Sequence, residues 1–377
     1  MQPLTARHRF GPGEREPDAA EQLPRLKLAA TGEHIDIRTT VPHEAAALSD
    51  FLGRTLPRGR AHPVPADAQM RWKYWSDRPD WEGSRSFAAT HDGHIVAHAA
   101  AWPVRVRVPG LVVPAAHLID WASDPQYPGA GTWLLRRIGA RVGMLIATGG
   151  TEITRRIFPL LGFHRSGELD CYARPVRPLR QALTTPERDW RLAARLVRNT
   201  FWRALPPLST PSGWAVVPLA PEDVPEGLWC QPSSAMAVTA RDSGLYGYFV
   251  RSPSARHTLF GLTKNGQLLG YFCLAFAPHV ARIADLWLRS TSVDDWCSGF
   301  RAAVVAAARG EHICEVQAWA STGIGGVALR RAGFRLRERS PLSVFGDTEI
   351  LRGRELHVQM LDSDASFLSD RGVSYLT

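Results

Sequence analysis

The sequence predicts an α/β fold, an α+β arrangement on a mixed sheet, built twice in tandem. Three observations predict it. Strand-like and helix-like segments alternate along the chain, and the turns between them carry the residues such turns need. Three turn-bearing motifs then recur at nearly one spacing. Residues 70–80 match 244–254 in placing aromatics before a turn containing proline. The hairpin turn Asp92-Gly93 matches Asn265-Gly266, and Leu161-Gly162-Phe163 matches Ala332-Gly333-Phe334. The offsets are 174, 173 and 171 residues, as a unit duplicated in tandem gives.

The elements of the first unit follow in order. His34–Thr40 is a short strand, and Pro42–Gly53 a helix with proline early and Ala46, Leu48 and Leu52 as its apolar face. Ala66–Ser76 is a second helix carrying Trp72, Tyr74 and Trp75; Trp72 and Trp75, three apart, share a face, and core packing accounts for them more simply than sugar stacking. Arg85–Thr90 and His94–Val108 pair across Asp92-Gly93. Leu111–Ser123 is a strand, Trp133–Val142 a helix, Met144–Thr148 a strand, and Thr151–Leu161 a helix ending at Gly162. Phe163–Ala173 closes the unit as extended chain.

Between Leu111–Ser123 and the helix after it stands Gln126-x-x-Gly129-x-Gly131. A strand that runs through a glycine loop into a helix leaves backbone N–H groups unpaired at the positive end of the helix dipole, which makes an anion site. Side chains at Gly129 and Gly131 would keep phosphate oxygens off those amides. Two phosphate motifs are excluded. No lysine follows Gly131, as a P-loop requires, and no third glycine or strand-end acid completes a dinucleotide fingerprint.

On Gln126-x-x-Gly129-x-Gly131 followed by Leu134-Leu135, and on Leu160-Leu161-Gly162-Phe163 after the later helix, the chain resembles the GCN5-related N-acyltransferases (GNAT) over about residues 33–175. The resemblance implies a sheet splayed open between its fourth and fifth strands, with acetyl-CoA or another acyl-CoA in the gap. The pyrophosphate would rest on the loop (Gln126, Gly129, Ala130, Gly131, Thr132, Trp133), and Ile119, Trp121 and Ala122 would face or bond the pantetheine arm and thioester carbonyl. It implies direct attack of an amine on the thioester. Many members carry a tyrosine five residues before the phenylalanine of the Leu-Gly-Phe motif, as general acid. Here that residue is Phe158.

An amine nucleophile with a pKa of about 10.4 must lose a proton, so a carboxylate or imidazole is needed as base. Asp120 and His117 lie on the strand leading into the loop, three residues apart and therefore on opposite faces of a regular strand. Asp120 is the better placed of the two, and Tyr172 and Ser123 are candidate proton donors. A structural role for Asp120, paired with one of the many arginines, is the alternative.

The two units are not equivalent. Where the first has its glycine loop, the second has Asp294 and Asp295, which would repel a pyrophosphate; the glycines of 321–326 follow a later strand. The expected organisation is a disordered N-terminal segment over 1–32, an intact GNAT domain over 33–175 and a linker with a helix over 176–212. A degenerate GNAT-like domain over 213–361 and a tail over 362–377 follow.

A chain of 377 residues with 45% hydrophobic content suffices for two cores. Five cysteines without pair spacing indicate neither a disulfide framework nor a metal site, and no apolar run is long enough for a membrane span. A cytoplasmic enzyme acting on a small-molecule amine is expected. The net charge of +9 does not indicate nucleic acid, because 42 of 45 basic residues are arginines spread along the chain. The densest run, Arg174 to Arg203, includes a helix over Pro186–Arg203, expected to pack as a linker. Two other functions fit the two-unit plan. One is an aminoacyl-tRNA-dependent transferase, which would not need the glycine loop; the other is a non-catalytic acyl-CoA-binding protein, which Phe158 favours.

Overall fold

The computed structural model describes residues 26–27, 34–56, 67–185, 190–367 and 375–377. Strand β1 (Leu26–Lys27) pairs with β2 (His34–Thr39). It falls inside the segment expected to be disordered, 1–32, the rest of which lies outside the described residues. Helix α1 (Ala45–Thr55) buries Leu48, Phe51 and Leu52, a stripe at helical spacing. Helix α2 (Asp67–Met70) widens into one π-turn over Arg71–Trp75, closed by the Ser76 amide on the Arg71 carbonyl.

Strands β3 (Ser86–His91) and β4 (His94–Val108) turn at Asp92 and Gly93, whose φ of 48° and 78° are those of a primed hairpin turn. Then come β5 (Leu111–Ser123), α3 (Ala130–Gly139), β6 (Met144–Thr148), α4 (Glu152–Leu160) and β7 (His164–Pro175). Helix α3 begins three residues before the expected Trp133, directly after Gly129, whose left-handed φ of 91° starts it. Helices α5 (Pro178–Thr184) and α6 (Trp190–Ala204) lead to the second half.

That half comprises β8 (Trp214–Pro218), β9 (Met236–Thr239), α7 (Ser243–Phe249), β10 (Arg256–Lys264), β11 (Gln267–Phe276) and β12 (Val280–Leu288). It continues with α8 (Val293–Ala308), β13 (Glu315–Ala320), α9 (Gly323–Arg331), β14 (Arg335–Gly346) and β15 (Glu355–His357).

Both halves share one mixed sheet, ordered β1-β2-β3-β4-β5-β6-β14-β7-β13-β12-β11-β10-β8, with β9 and β15 paired beside it. From β2 to β8 the order is a palindrome of equivalent strands, and at its centre the halves trade places. Strand β14 of the second half lies between β6 and β7, while β7 of the first lies between β14 and β13. The expectation that the chain after Gly162 closes its own unit is therefore corrected: β7 completes the other half's sheet, and β14 completes the first's. Sequence order favours neighbours, but two related halves offer each edge an equivalent foreign strand.

Aromatic rings seal the halves together. Trp72 stacks on Tyr248 with centroids 4.7 Å apart, and Trp102 lies parallel to Phe249 at 6.2 Å. At about 150–250 Å² per ring and about 25 cal/mol per Å², each such ring contributes roughly 4–6 kcal/mol of burial before entropic losses. Trp72 thus belongs to the core, as core packing predicts, while half-buried Trp75 donates to the Thr40 carbonyl.

Candidate active site

Strands β5 and β6 run parallel and pair only over Ala115–His117 and Met144–Ile146. Beyond that they part, and residues 118–123 of β5 keep their β4 neighbours but face a fork on the other side. Within the fork β5 carries a bulge. His98 pairs with Ala122 and Ala100 with Ile119, so Ala99 faces both Asp120 and Trp121. Asp120 takes a φ of 49°, a conformation uncommon for a residue other than glycine. Its carbonyl accepts from His98 Nδ1 at 2.9 Å, while His98 Nε2 accepts from Ser86 Oγ at 2.8 Å. A carbonyl can only accept, so His98 is the neutral Nδ1–H tautomer, and burial pushes its pKa down to about 4.

The extra residue resets the alternation of side chains. Ile119, Asp120 and Ala122 all turn toward the α1 side of the sheet, as His117 does, so Asp120 and His117 are not on opposite faces as a regular strand requires. The Asp120 carboxylate accepts from Tyr74 Oη at 2.6 Å and pairs with Lys73 Nζ at 2.5 Å. Lys73 Nζ also pairs with Asp364. Lys73 and Asp120 are almost fully buried and Asp364 nearly so.

Burial alone would lower the pKa of Lys73, but the two carboxylates outweigh it and hold it above its ordinary value. Burial likewise opposes the Asp120 charge, and Lys73, then Tyr74, hold its pKa below the usual carboxylate range. Two carboxylates against one ammonium leave a net charge of about −1 in low dielectric, which favours an incoming cation.

His117 donates from Nδ1 to the Asp362 carbonyl at 3.0 Å and accepts at Nε2 from Thr148 Oγ1 at 2.9 Å. Both nitrogens are engaged, and burial lowers its pKa, so it ties β5 to β6 and to the C-terminal segment as a neutral ring. Tyr172 is not brought to this fork. It lies between β13 and β14, where its hydroxyl faces Asp170 and accepts from Arg330 at 2.9 Å.

The loop after β5 is held by its own backbone. Asp124 Oδ1 accepts from the Gln126 amide at 2.9 Å, and the Gly129 carbonyl accepts from the Thr132 and Trp133 amides at 3.0 and 3.3 Å. The Gly129 and Gly131 amides have no acceptor among the described residues. A Cβ on Gly131 would come within 2.8 Å of Trp121 Nε1, which donates to the Gly131 carbonyl. These features fit a pyrophosphate: open amides, a helix N-terminus and no side chain in the way. Trp121 also stacks on Phe158 of α4, centroids 5.7 Å apart, so two rings bridge the fork. Ile119 and Ala122 are buried, so β5 offers the fork its backbone edge.

Sequence reasoning missed Lys73, Tyr74 and Asp364. One signal was present: Lys73 is one of three lysines in an arginine-rich chain and sits between Trp72 and Tyr74. The second half repeats the constellation. Tyr246 Oη donates to Asp285 at 2.6 Å, Arg241 pairs with Asp285 at 2.9 Å and with Asp362 at 2.8 Å. Each half thus joins a tyrosine, a cation and a strand aspartate to one aspartate of the C-terminal segment.

Residues 58–138 match the family model described as an acetyltransferase (GNAT) domain, a stretch holding β3 to β5, the glycine loop and most of α3. No curated protein matches the sequence. Among solved structures, Saccharomyces cerevisiae N-myristoyltransferase with bound myristoyl-CoA and inhibitors is similar at a TM-score of 0.60 and 12% identity, over 88% of this chain and 84% of that one. A GCN5-related N-acetyltransferase from Anabaena variabilis is similar at 0.52 and 11%, over 82% and 72%. Another from Kribbella flavida stands at 0.51 and 13%, over 84% and 72%. The chain has the fold of these proteins, and residues 58–138 match a GNAT domain model.

Proposed function

Taking the chain as an acyl-CoA-dependent N-acyltransferase of the GNAT type, we propose that its first half alone transfers an acetyl group to a primary amine of a small molecule or amino sugar. The observation that carries this reading is the Gly129–Gly131 loop, with its open amides beside the unpaired edge of β5. Tyr74, fully buried, fills the space beside Asp120 at the bulge and favours a short acyl chain.

Acyl-CoA supplies the activated carbonyl. The chain's residues seat the pyrophosphate on the loop and the thioester beside Asp120. The net-negative Lys73–Asp120–Asp364 cluster draws the ammonium form of the acceptor and takes up its proton, directly or through water. The amine nitrogen then bonds to the thioester carbon, the carbon–sulfur bond breaks, the nitrogen gives up its second proton to water, and the thiolate leaves to be protonated by solvent, since Phe158 offers no hydroxyl. In the second half Asp294 and Asp295 occupy the first turn of α8, where the first half has glycine, and that half shapes the acceptor site.

Calorimetric titration with acetyl-CoA tests the reading. Binding is expected, and loss of at least about tenfold in affinity for Gly129→Asp/Gly131→Asp and for Thr132→Glu. Thr132→Glu is chosen because a first-turn acid suits the helix while opposing the pyrophosphate. No binding, or variants that bind like the wild type, would overturn it. Phe158 favours one second reading, an acyl-CoA-binding protein without turnover; binding with no thiol release across a panel of amines would establish it.

A further inference from the structure

Helix α6 is apolar on the wrong side as well as the right one. Its inner face is anchored: Trp202 Nε1 donates to the Gly333 carbonyl at 2.6 Å, Asn199 donates to Gln181 at 2.9 Å, and Arg335 covers the Trp202 ring. Its outer face carries Trp190 at 76% exposure, Val197 at 57% and Phe201 at 74%, with Leu205 just beyond its end at 75%. These positions fall seven, four and four residues apart, which is one stripe along the helix. Leu179 of the adjoining α5 is exposed beside it. Water-facing aromatic and aliphatic side chains in a continuous stripe mark an interaction surface.

The charge on α6 itself has one sign. Helix α6 holds Arg191, Arg195, Arg198 and Arg203 and no acid. Burial lowers the pKa of Arg198, and the like charges of Arg337, Arg195 and Arg335 lower it further. An apolar stripe flanked by arginines on a convex helix of about 22 Å matches a fluid anionic surface, with rings in the headgroup–acyl boundary and guanidiniums on phosphates. A second copy of the chain is disfavoured, because a two-fold contact through this face would set the arginines against themselves. Nucleic acid would use the arginines but leave Val197 and Leu205 without a role. Among the described residues no helix is long and apolar enough to cross a membrane, so attachment would be peripheral.

We propose that the outer face of α5 and α6 docks the protein on anionic lipid bilayers. The test is co-sedimentation of the full chain with vesicles of phosphatidylcholine mixed with phosphatidylserine, against pure phosphatidylcholine. The protein is expected to pellet with the mixed vesicles and to be released by salt. Val197→Glu/Phe201→Glu is expected to lower the partition coefficient at least about tenfold, and Arg191→Ala/Arg198→Ala to remove the preference for phosphatidylserine. Arg191, Val197, Arg198 and Phe201 are all exposed, and an unchanged thermal midpoint confirms that each variant folds. The proposal fails if the wild type stays in solution, or if the glutamate variant pellets like the wild type. It also fails if gel filtration shows a dimer that the glutamate variant splits, or if single-stranded RNA binds this face in place of vesicles.

Discussion

The two forks of the sheet are built alike and filled differently. In the first half the gap between β5 and β6 is bridged by side chains, Trp121 stacked on Phe158. In the second, β12 and β13 pair over Val280–Ile283 and Glu315–Ala318 and then part in the same way. There main chain lies across the gap: Ser321 Oγ donates to the Leu356 carbonyl and accepts from the Val358 amide, and His357 meets the rings of Trp287 and Trp296. Helix α8 also packs along α9, whereas α3 and α4 hardly touch. Rotating two rings opens a fork at little cost; removing a hydrogen-bonded segment does not. One fold can therefore keep or give up a ligand groove without changing its strands.

The largest test of this comparison removes the buried cations. Lys73→Met leaves Asp120 facing Asp364, and Arg241→Met leaves Asp285 facing Asp362. Each is expected to cost about 3–5 kcal/mol in urea unfolding. If the first half alone turns over, Lys73→Met also abolishes transfer, while Arg241→Met leaves turnover per folded molecule at the wild-type level. Equal losses of turnover would break the assignment.

A smaller effect comes from pH. His98 in one half, and His257 and His357 in the other, titrate near 4 because burial penalises their charged forms. Unfolded, they titrate near 6.5, so between those values the unfolded chain holds more protons. Their contribution is complete above about pH 6.5 and shrinks as the pH falls toward 4. Unfolding free energy should drop by at least about 2 kcal/mol between pH 7 and pH 5. A flat profile would mean that the imidazoles are reached by solvent. The smallest contrast is Tyr74→Phe against Tyr246→Phe. Each removes one hydrogen bond to a buried carboxylate, at about 1–3 kcal/mol in thermal or urea melts. A clearly smaller loss in one half would show that its aspartate is hydrated.

What the sequence revealed was local. Asp92-Gly93 and Gly162 declare their turns because few residues accept a positive φ, and the apolar run Leu111–Ser123 coincides with β5. The glycine loop shows for the same reason. Partners distant in the chain did not show. Lys73 meets Asp364 across 291 residues, and no periodicity carries that. The strand alternation that assigns faces failed at Asp120, where the bulge adds a residue whose sign in the sequence is an ordinary aspartate. Tyr172 was misplaced because its strand sits among foreign neighbours, Ala318 and Leu336.

That exchange of strands also constrains how the chain comes into being. Strand β6 must remain an uncovered edge during synthesis until Gly346 has emerged, 198 residues after Thr148 and about half the chain's length later. The first half, although it carries the glycine loop, is expected to be aggregation-prone when expressed alone. Once β14 is threaded, no hinge can separate the halves without breaking sheet hydrogen bonds on both sides of it. Ligands must enter and leave a closed frame, through motions of side chains and loops.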